Sequence, residues 1–289
     1  MTLQIVEKLG TALERILIYG APKVGKTRLA TSLPWGPYWG EKAILVTADM
    51  PRAEGMSAED AAASSLKPVL DANRERLLVV VPDGTPNWME EAVAIARAKY
   101  DQPGVRTIIW DTLTETAKRI LRFYSDTGVF SDKHAVQVGS RALKSWHTSP
   151  MEGDYGAAQN TIAFLQEHLW SQPLHLIVIF HEDFIEPESG SIEGLIGGPA
   201  TVGKKAIRWI PAKYDTVLYM QRRMATTEKS EIIVNTVQRG IWVAGVRGTT
   251  EVPAQIVLRP DPTHVWRQLR GEPTAPLVEV PKGWNRAGA

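Results

Sequence analysis

Eight consecutive residues, Gly20-Ala21-Pro22-Lys23-Val24-Gly25-Lys26-Thr27, set two glycines, a lysine and a hydroxyl at the spacing G-x-x-x-x-G-K-[ST]. That spacing suits one task, holding a row of phosphates. The glycines let the backbone curl so that N–H groups of the loop point inward at phosphate oxygens, and the helical start at Arg28-Leu29-Ala30 adds its positive amino end. Lys26 would reach the β- and γ-phosphates of ATP, and Thr27 would offer its hydroxyl to the Mg²⁺ that bridges them. Ala21, Pro22, Val24 and Arg28 belong to the same cradle. Lys23 has two open roles, a second cation beside the phosphates or a side chain in solvent.

Phosphoanhydride hydrolysis asks for two further groups. An acid at the end of a neighbouring strand must hold the metal's water shell, and Thr107-Ile108-Ile109-Trp110-Asp111 is an apolar run ending in a carboxylate. Asp111 is open to that role and to capping the helix that follows from Leu113. Another group must orient or activate water. Asp49, after the run Ala43 to Ala48, is the candidate general base, against a loop carboxylate that only solvates Met50-Pro51-Arg52. The run Leu176 to Phe180 ends in His181-Glu182-Asp183: His181 is either a γ-phosphate sensor or a hydrogen-bonded rim histidine, and Glu182 is an alternative water-activating group.

These side chains need a scaffold that brings strand ends to one rim. Arg15 to Tyr19, Ala43 to Ala48, Leu77 to Val81, Thr107 to Trp110 and His175 to Phe180 are short and nearly all apolar, the pattern of parallel strands covered on both faces. Thr85-Pro86 opens a crossover helix with Met89, Val93, Ala96 and Tyr100 at helical spacing; Leu113, Ala117, Ile120 and Tyr124 make a second stripe, and Ala158, Ile162, Leu165 and Leu169 a third. Strand and helix in alternation predict a doubly wound, mainly parallel α/β sheet with ligands at the carboxyl ends of its strands. From Asp215 the rhythm changes to Asp215–Met220, Glu231–Val237, Ile241–Gly245 and Gln255–Leu258, which reads as an antiparallel β-hairpin extension. The expected organisation is one unit over 1–270, with an α/β core at 1–225 and the extension at 226–270, followed by an irregular tail at 271–289.

Composition removes several classes. With no cysteine the chain has no disulfide framework, thiolate metal site or cysteine nucleophile. Its 33 basic and 32 acidic residues leave a net charge of +1, so any polyanion surface is a local patch. The longest aliphatic run, Leu176 to Phe180, is far below the ~18 residues of a membrane span, and the start MTLQIVEKLG lacks a basic-then-apolar leader. The expectation is a cytoplasmic protein without a membrane partner.

In the order GAPKVGKT, TADMP, TIIWDTLTE, DYGAAQNTIAFLQ and LIVIFHED, between Ile16 and Arg247, the chain resembles the RecA-like core of phage-encoded P-loop ATPases. Within them it is most similar to the AAA-domain group that includes the Sak-type single-strand-annealing recombination proteins. The resemblance implies a RecA-like P-loop NTPase fold and ATP hydrolysis with Mg²⁺. It assigns phosphate and metal binding to Lys26 and Thr27, the Walker B acid to Asp111 and a polar γ-phosphate sensor to His181. Asp49 stands where RecA carries its catalytic glutamate, one methylene shorter, and Arg247 resembles a basic residue inserted into a neighbouring subunit's nucleotide. A homo-oligomer, ring or filament, follows.

RecA-like proteins engage DNA through two loops beyond the Walker acid. Here 131–154 carries Lys133, Arg141, Lys144 and Trp146, and 183–215 carries Lys204, Lys205, Arg208, Trp209 and Lys213. Cations with interleaved indoles suit single-stranded DNA, since the cations neutralise phosphates and the indoles stack on any base. The opposing features are the acids Asp183, Glu186, Glu188 and Glu193 in the second loop. The expected function is ATP-dependent recombination or annealing on single-stranded DNA, with a single-strand-binding or replication protein as a possible partner. The alternative is a nucleotide-gated loader or assembly ATPase acting on a replication, transposition or packaging protein.

Overall fold

The apolar runs become the middle of one sheet. The computed structural model describes residues 13–47, 69, 72–80, 104–127, 150, 152–186, 195–203, 206–224, 230–247 and 251–272. In them β1 (Arg15–Gly20), β2 (Lys42–Thr47), β3 (Leu77–Val80), β4 (Val105–Asp111) and β5 (His175–Ile185) run parallel, joined by β7 (Thr216–Met224) on the far side of β1. The order across the sheet is β3-β2-β4-β5-β1-β7, followed by β8 (Ser230–Asn235) and β10 (Gln255–Val257), which turn antiparallel. A short β6 (Ile196–Pro199) folds back on the end of β5, and β9 (Gly245–Val246) pairs with the start of β7. This mixed, mostly parallel sheet is the RecA-like P-loop architecture.

Both faces are covered, which is why the inner strands are apolar at successive positions rather than at alternate ones. On one face lie α1 (Lys26–Thr31) and α5 (Thr263–Leu269), packed on Ile18, Leu45, Ile109, Ile179 and Leu218. Trp266 of α5 is fully buried there and donates its indole N–H to Leu29 O at 3.0 Å, tying the late chain to the helix behind the phosphate loop. The other face takes α2 (Leu113–Thr127) and α3 (Glu152–Trp170) on Tyr19, Val46, Trp110, Val178 and Phe180. The stripes Leu113/Ala117/Ile120 and Ala158/Ile162/Leu165/Leu169 are the buried ones. The short α4 (Ala206–Trp209) and a 3₁₀ turn (Pro211–Lys213) then lead into β7.

Four differences from the sequence expectation have physical causes. First, β5 continues past Phe180 to Ile185 because β6 supplies a second partner, so His181 and Glu182 lie in a strand rather than in a rim loop. Second, β7 is a parallel neighbour of β1; β8, β10 and the two-residue β9 are the antiparallel part of the late chain. Third, Ile241 to Ala244 is not a strand: Arg239 and Trp242 close a turn by exchanging backbone hydrogen bonds at 3.0 Å, Trp242 makes an isolated bridge to Gly197, and a strand begins at Gly245. Fourth, α5 was unread behind its prolines. The crossover helix expected from Thr85 to Tyr100, and the tail beyond 272, lie outside the described residues.

At the amino edge of the sheet a buried histidine stitches three segments together. Glu14 N–H donates to His175 Nδ1 at 3.0 Å, which places the ring proton on Nε2, facing Tyr38 O at 2.9 Å. Tyr38 O–H donates to Glu14 at 2.8 Å. Burial lowers the His175 pKa to about 4, with nearby Arg106 and Arg270 acting in the same direction and the Tyr38 carbonyl opposing. The unfolded chain therefore binds a proton at this site below about pH 6.5 that the folded chain refuses until about pH 4. Stability from this site is full above pH 6.5 and falls as pH drops through that window. Between pH 7.5 and 5 it should contribute a loss on the order of 1–2 kcal/mol. Urea unfolding of the wild type and His175→Gln at both pH values checks this: the variant should be less stable at pH 7.5 and lose less on acidification, whereas parallel losses would show that His175 does not titrate this way.

Candidate nucleotide site

Where β1 ends, Gly20 passes so close to β7 that an added Cβ would run into the Met220 carbonyl oxygen. Left-handed turns at Lys23 (φ 64°) and Gly25 (φ 85°) then curl the chain into the kind of concavity that binds anions. Lys26 is buried, and its ammonium donates to the carbonyls of Gly20 and Ala21 at 2.8 Å each. Val24 packs into the core while Pro22 and Lys23 face solvent, which favours the solvated reading of Lys23. Arg28 reaches the Pro260 carbonyl. The loop thus rests on β7 and on the late chain as well as on its own strand.

Asp111 ends β4, and β5 lies between β4 and β1. Thr27 nevertheless donates its hydroxyl to Asp111 Oδ2 at 2.6 Å, because the start of α1 leans over the end of β5. The capping alternative for Asp111 is filled by its neighbour: Glu115 N–H donates to Thr112 Oγ1 at 3.2 Å, and Thr116 O–H donates to Thr112 O at 3.1 Å. Hydroxyl and carboxylate oxygens are the ligands that Mg²⁺ takes, with waters and substrate phosphates completing its shell, so the pair fits that ion. Thr47, the last residue of β2, stands opposite Asp111 in register. Asp49, two residues on, lies outside the described residues.

The tip of β5 sits beside this pair. His181 is level with Gly20; its N–H donates to Thr114 Oγ1 at 2.9 Å, and that hydroxyl donates to Ala200 O at 2.7 Å. Strand alternation puts His181 on the side of Ile177 and Ile179, facing α1, and Glu182 on the side of Phe180. The Glu182 carboxyl lies near the Tyr219 hydroxyl, the Ala21 amide and the Lys26 charge. Burial raises its pKa, against the lowering by those three groups. Its Oε2 is buried with no hydrogen-bond partner among the described residues. Tyr219, Thr112 and Thr114 were not found from sequence, since a tyrosine inside a strand and threonines opening a helix carry no signal apart from their neighbours.

Other candidates lie elsewhere. Arg247 follows β9 at the start of β7, the edge of the sheet opposite the loop; its guanidinium is paired with Asp215 at 3.3 Å and does not reach its own chain's cradle. Arg208 is exposed on α4, and the Lys213 ammonium lies 5.3 Å from the centroid of the Trp170 indole. Lys133, Arg141, Lys144, Trp146, Lys204 and Lys205 lie outside the described residues. No group of three or more His, Asp or Glu able to hold a metal occurs among the described residues. Nor, among them, is any helix long and apolar enough to cross a membrane.

A sequence-family profile described as an AAA domain matches residues 13–249. The chain belongs to that family. An AAA-domain protein with a RecA-like P-loop fold is an ATPase in the general sense, and the fold implies nucleotide binding. No curated protein sequence matches the chain significantly. Among solved structures it is similar to a KaiC-like protein from the archaeon Pyrococcus horikoshii, with 13% identity, 86% of this chain and 87% of that chain covered, and a TM-score of 0.42. It is also similar to an ATPase from the type III secretion system of pathogenic bacteria, with 15% identity, 72% of this chain and 51% of that one covered, and a TM-score of 0.41.

The division of labour at the end of β4 is testable. Thr112→Ala should cost about 1 kcal/mol of unfolding free energy through the lost cap. Asp111→Asn, which keeps an acceptor for Thr27, should stay within about 0.5 kcal/mol of wild type by urea denaturation. The reverse ranking would mean that Asp111 supports the helix after all.

Proposed function

We propose that this AAA-domain ATPase hydrolyses Mg·ATP to drive recombination or annealing on single-stranded DNA, in the manner of the phage Sak-type group it resembles. The observation that carries the catalytic half is the Thr27–Asp111 hydrogen bond of 2.6 Å beside a buried lysine held inside the loop. When bound, magnesium held by Thr27 and Asp111 offsets charge on the phosphates. Lys26 exchanges its two carbonyl partners for β- and γ-phosphate oxygens. His181, facing α1 from the tip of β5, donates to the γ-phosphate. Asp49 or Glu182 takes the proton of the attacking water; the Glu182 Oε2 is a buried acceptor with no hydrogen-bond partner among the described residues. Arg247 acts in trans, its place at the opposite edge of the sheet being suited to a head-to-tail neighbour in a homo-oligomer.

Support for the DNA half is the run of cations and tryptophans in 131–154 and 183–215, with Arg208 exposed. Lys26→Ala should retain the wild-type unfolding midpoint and lose at least about a hundredfold in phosphate release. Turnover at the wild-type rate would refute the site. Wild-type protein with ATP should also raise the anisotropy of a labelled single-stranded oligonucleotide at low salt, and the signal should fall steeply as salt is added. A flat titration at low salt would remove the DNA reading while leaving the ATPase in place.

A further inference from the structure

On the α1 and α5 side of the sheet lies an open groove of about 920 Å³. One wall is α1 and the turn after it, with Arg28, Ser32 and Trp35; a second is the late chain, with Pro260 and Arg267; the third is the segment before β3, with Asn73 and Arg76. The first two walls are fastened to each other, since Arg28 donates to the Pro260 carbonyl and the Trp266 indole N–H donates to Leu29 O at 3.0 Å. Their spacing is set by the fold.

The lining has a definite chemistry. Arg28, Arg76 and Arg267 are exposed along the groove, and none of the three forms an ion pair among the described residues. The one carboxylate in the lining, Asp261, has its Oδ1 engaged by the Thr263 N–H at 3.0 Å and by the Thr263 hydroxyl. The hydroxyls of Thr31 and Ser32 donate to carbonyls of their own helix at 2.8 and 2.6 Å. Recognition therefore falls to the cations and to Trp35, a half-buried indole with the Arg76 guanidinium 5.6 Å from its centroid. Three guanidiniums against one carboxylate suit a chain of phosphates, which they can grip in a fork, and an indole beside them suits a ligand whose base faces are open to stacking.

We propose that this groove is a binding track for single-stranded nucleic acid, on the opposite face of the sheet from α2 and α3, with Arg76 and Arg267 on phosphates and a base stacked at Trp35. The proposal rests on the single-stranded-DNA reading above and adds a surface which that reading does not contain.

The test is anisotropy of a labelled single-stranded oligonucleotide with the full chain and ATP, for wild type, the double variant Arg76→Gln/Arg267→Gln, Trp35→Phe and Trp35→Ala, each checked for a wild-type unfolding midpoint. The double variant should bind about tenfold more weakly at low salt, and its slope of log affinity against log salt should be shallower by about 1.4, the share of two single-strand phosphate contacts. Trp35→Phe, which keeps an aromatic face, should bind near the wild-type level, and Trp35→Ala about tenfold more weakly. A fluorescent ATP analogue should bind the double variant as it binds the wild type. Unchanged DNA affinity and salt slope in the double variant would overturn the proposal alone. So would an equal loss of ATP-analogue binding, which would assign the groove to the nucleotide, or displacement of the oligonucleotide by inorganic polyphosphate of equal charge as readily as by unlabelled oligonucleotide, which would leave charge as the sole basis of binding. A wild type that binds no oligonucleotide at low salt would overturn both this proposal and the DNA reading.

Discussion

The hydrogen bond from Thr27 to Asp111 joins two elements that are not neighbours in the sheet. Between their strands runs β5, and the bond closes because β1 and β4 both stop beside the middle of β5, at Gly20 and Asp111, while β5 runs on to Ile185. The bond holds the start of α1 and the end of β4 in mutual register. Asp111 serves this bond while Thr112, next in the chain, caps α2. Phosphate loop, acid and the tip of β5 are thereby held on one rim before any ligand arrives.

Lys26 shows what pre-organisation means here. A buried ammonium must have its donors used, and the loop supplies its own carbonyls. Phosphate oxygens, carrying full charge, are stronger acceptors than peptide carbonyls and approach from the open side. Trp266, bonded to Leu29, braces the far end of α1 from the late chain.

How much of this was legible depends on where the signal resides. The loop and Asp111 could be read because their chemistry is local: a fixed spacing of residue types, and an apolar run that stops at a carboxylate. The parallel strands could be read because burial on both faces writes itself into successive positions. The extension of β5 could not, since its partner β6 is Ile196-Gly197-Gly198-Pro199, a glycine-proline string that reads as loop. Those glycines are there for close packing, under Trp242 and Ile207, and nothing local says so. The stacking of Trp242 on Tyr219 likewise depends on a turn at 239–242 returning to β6 and β7, a fact of topology rather than of pattern.

The central claim is that the loop at 20–27, with Thr27 and Asp111, grips a triphosphate and its magnesium. Isothermal titration of ATP into the full chain, with and without Mg²⁺, tests it most directly. The account predicts a saturable one-site heat that is tighter with Mg²⁺ in the wild type, with that gain lost in Asp111→Asn. Folded wild-type protein giving no heat with any purine triphosphate, or an Asp111→Asn variant that keeps the full Mg²⁺ gain, would contradict it.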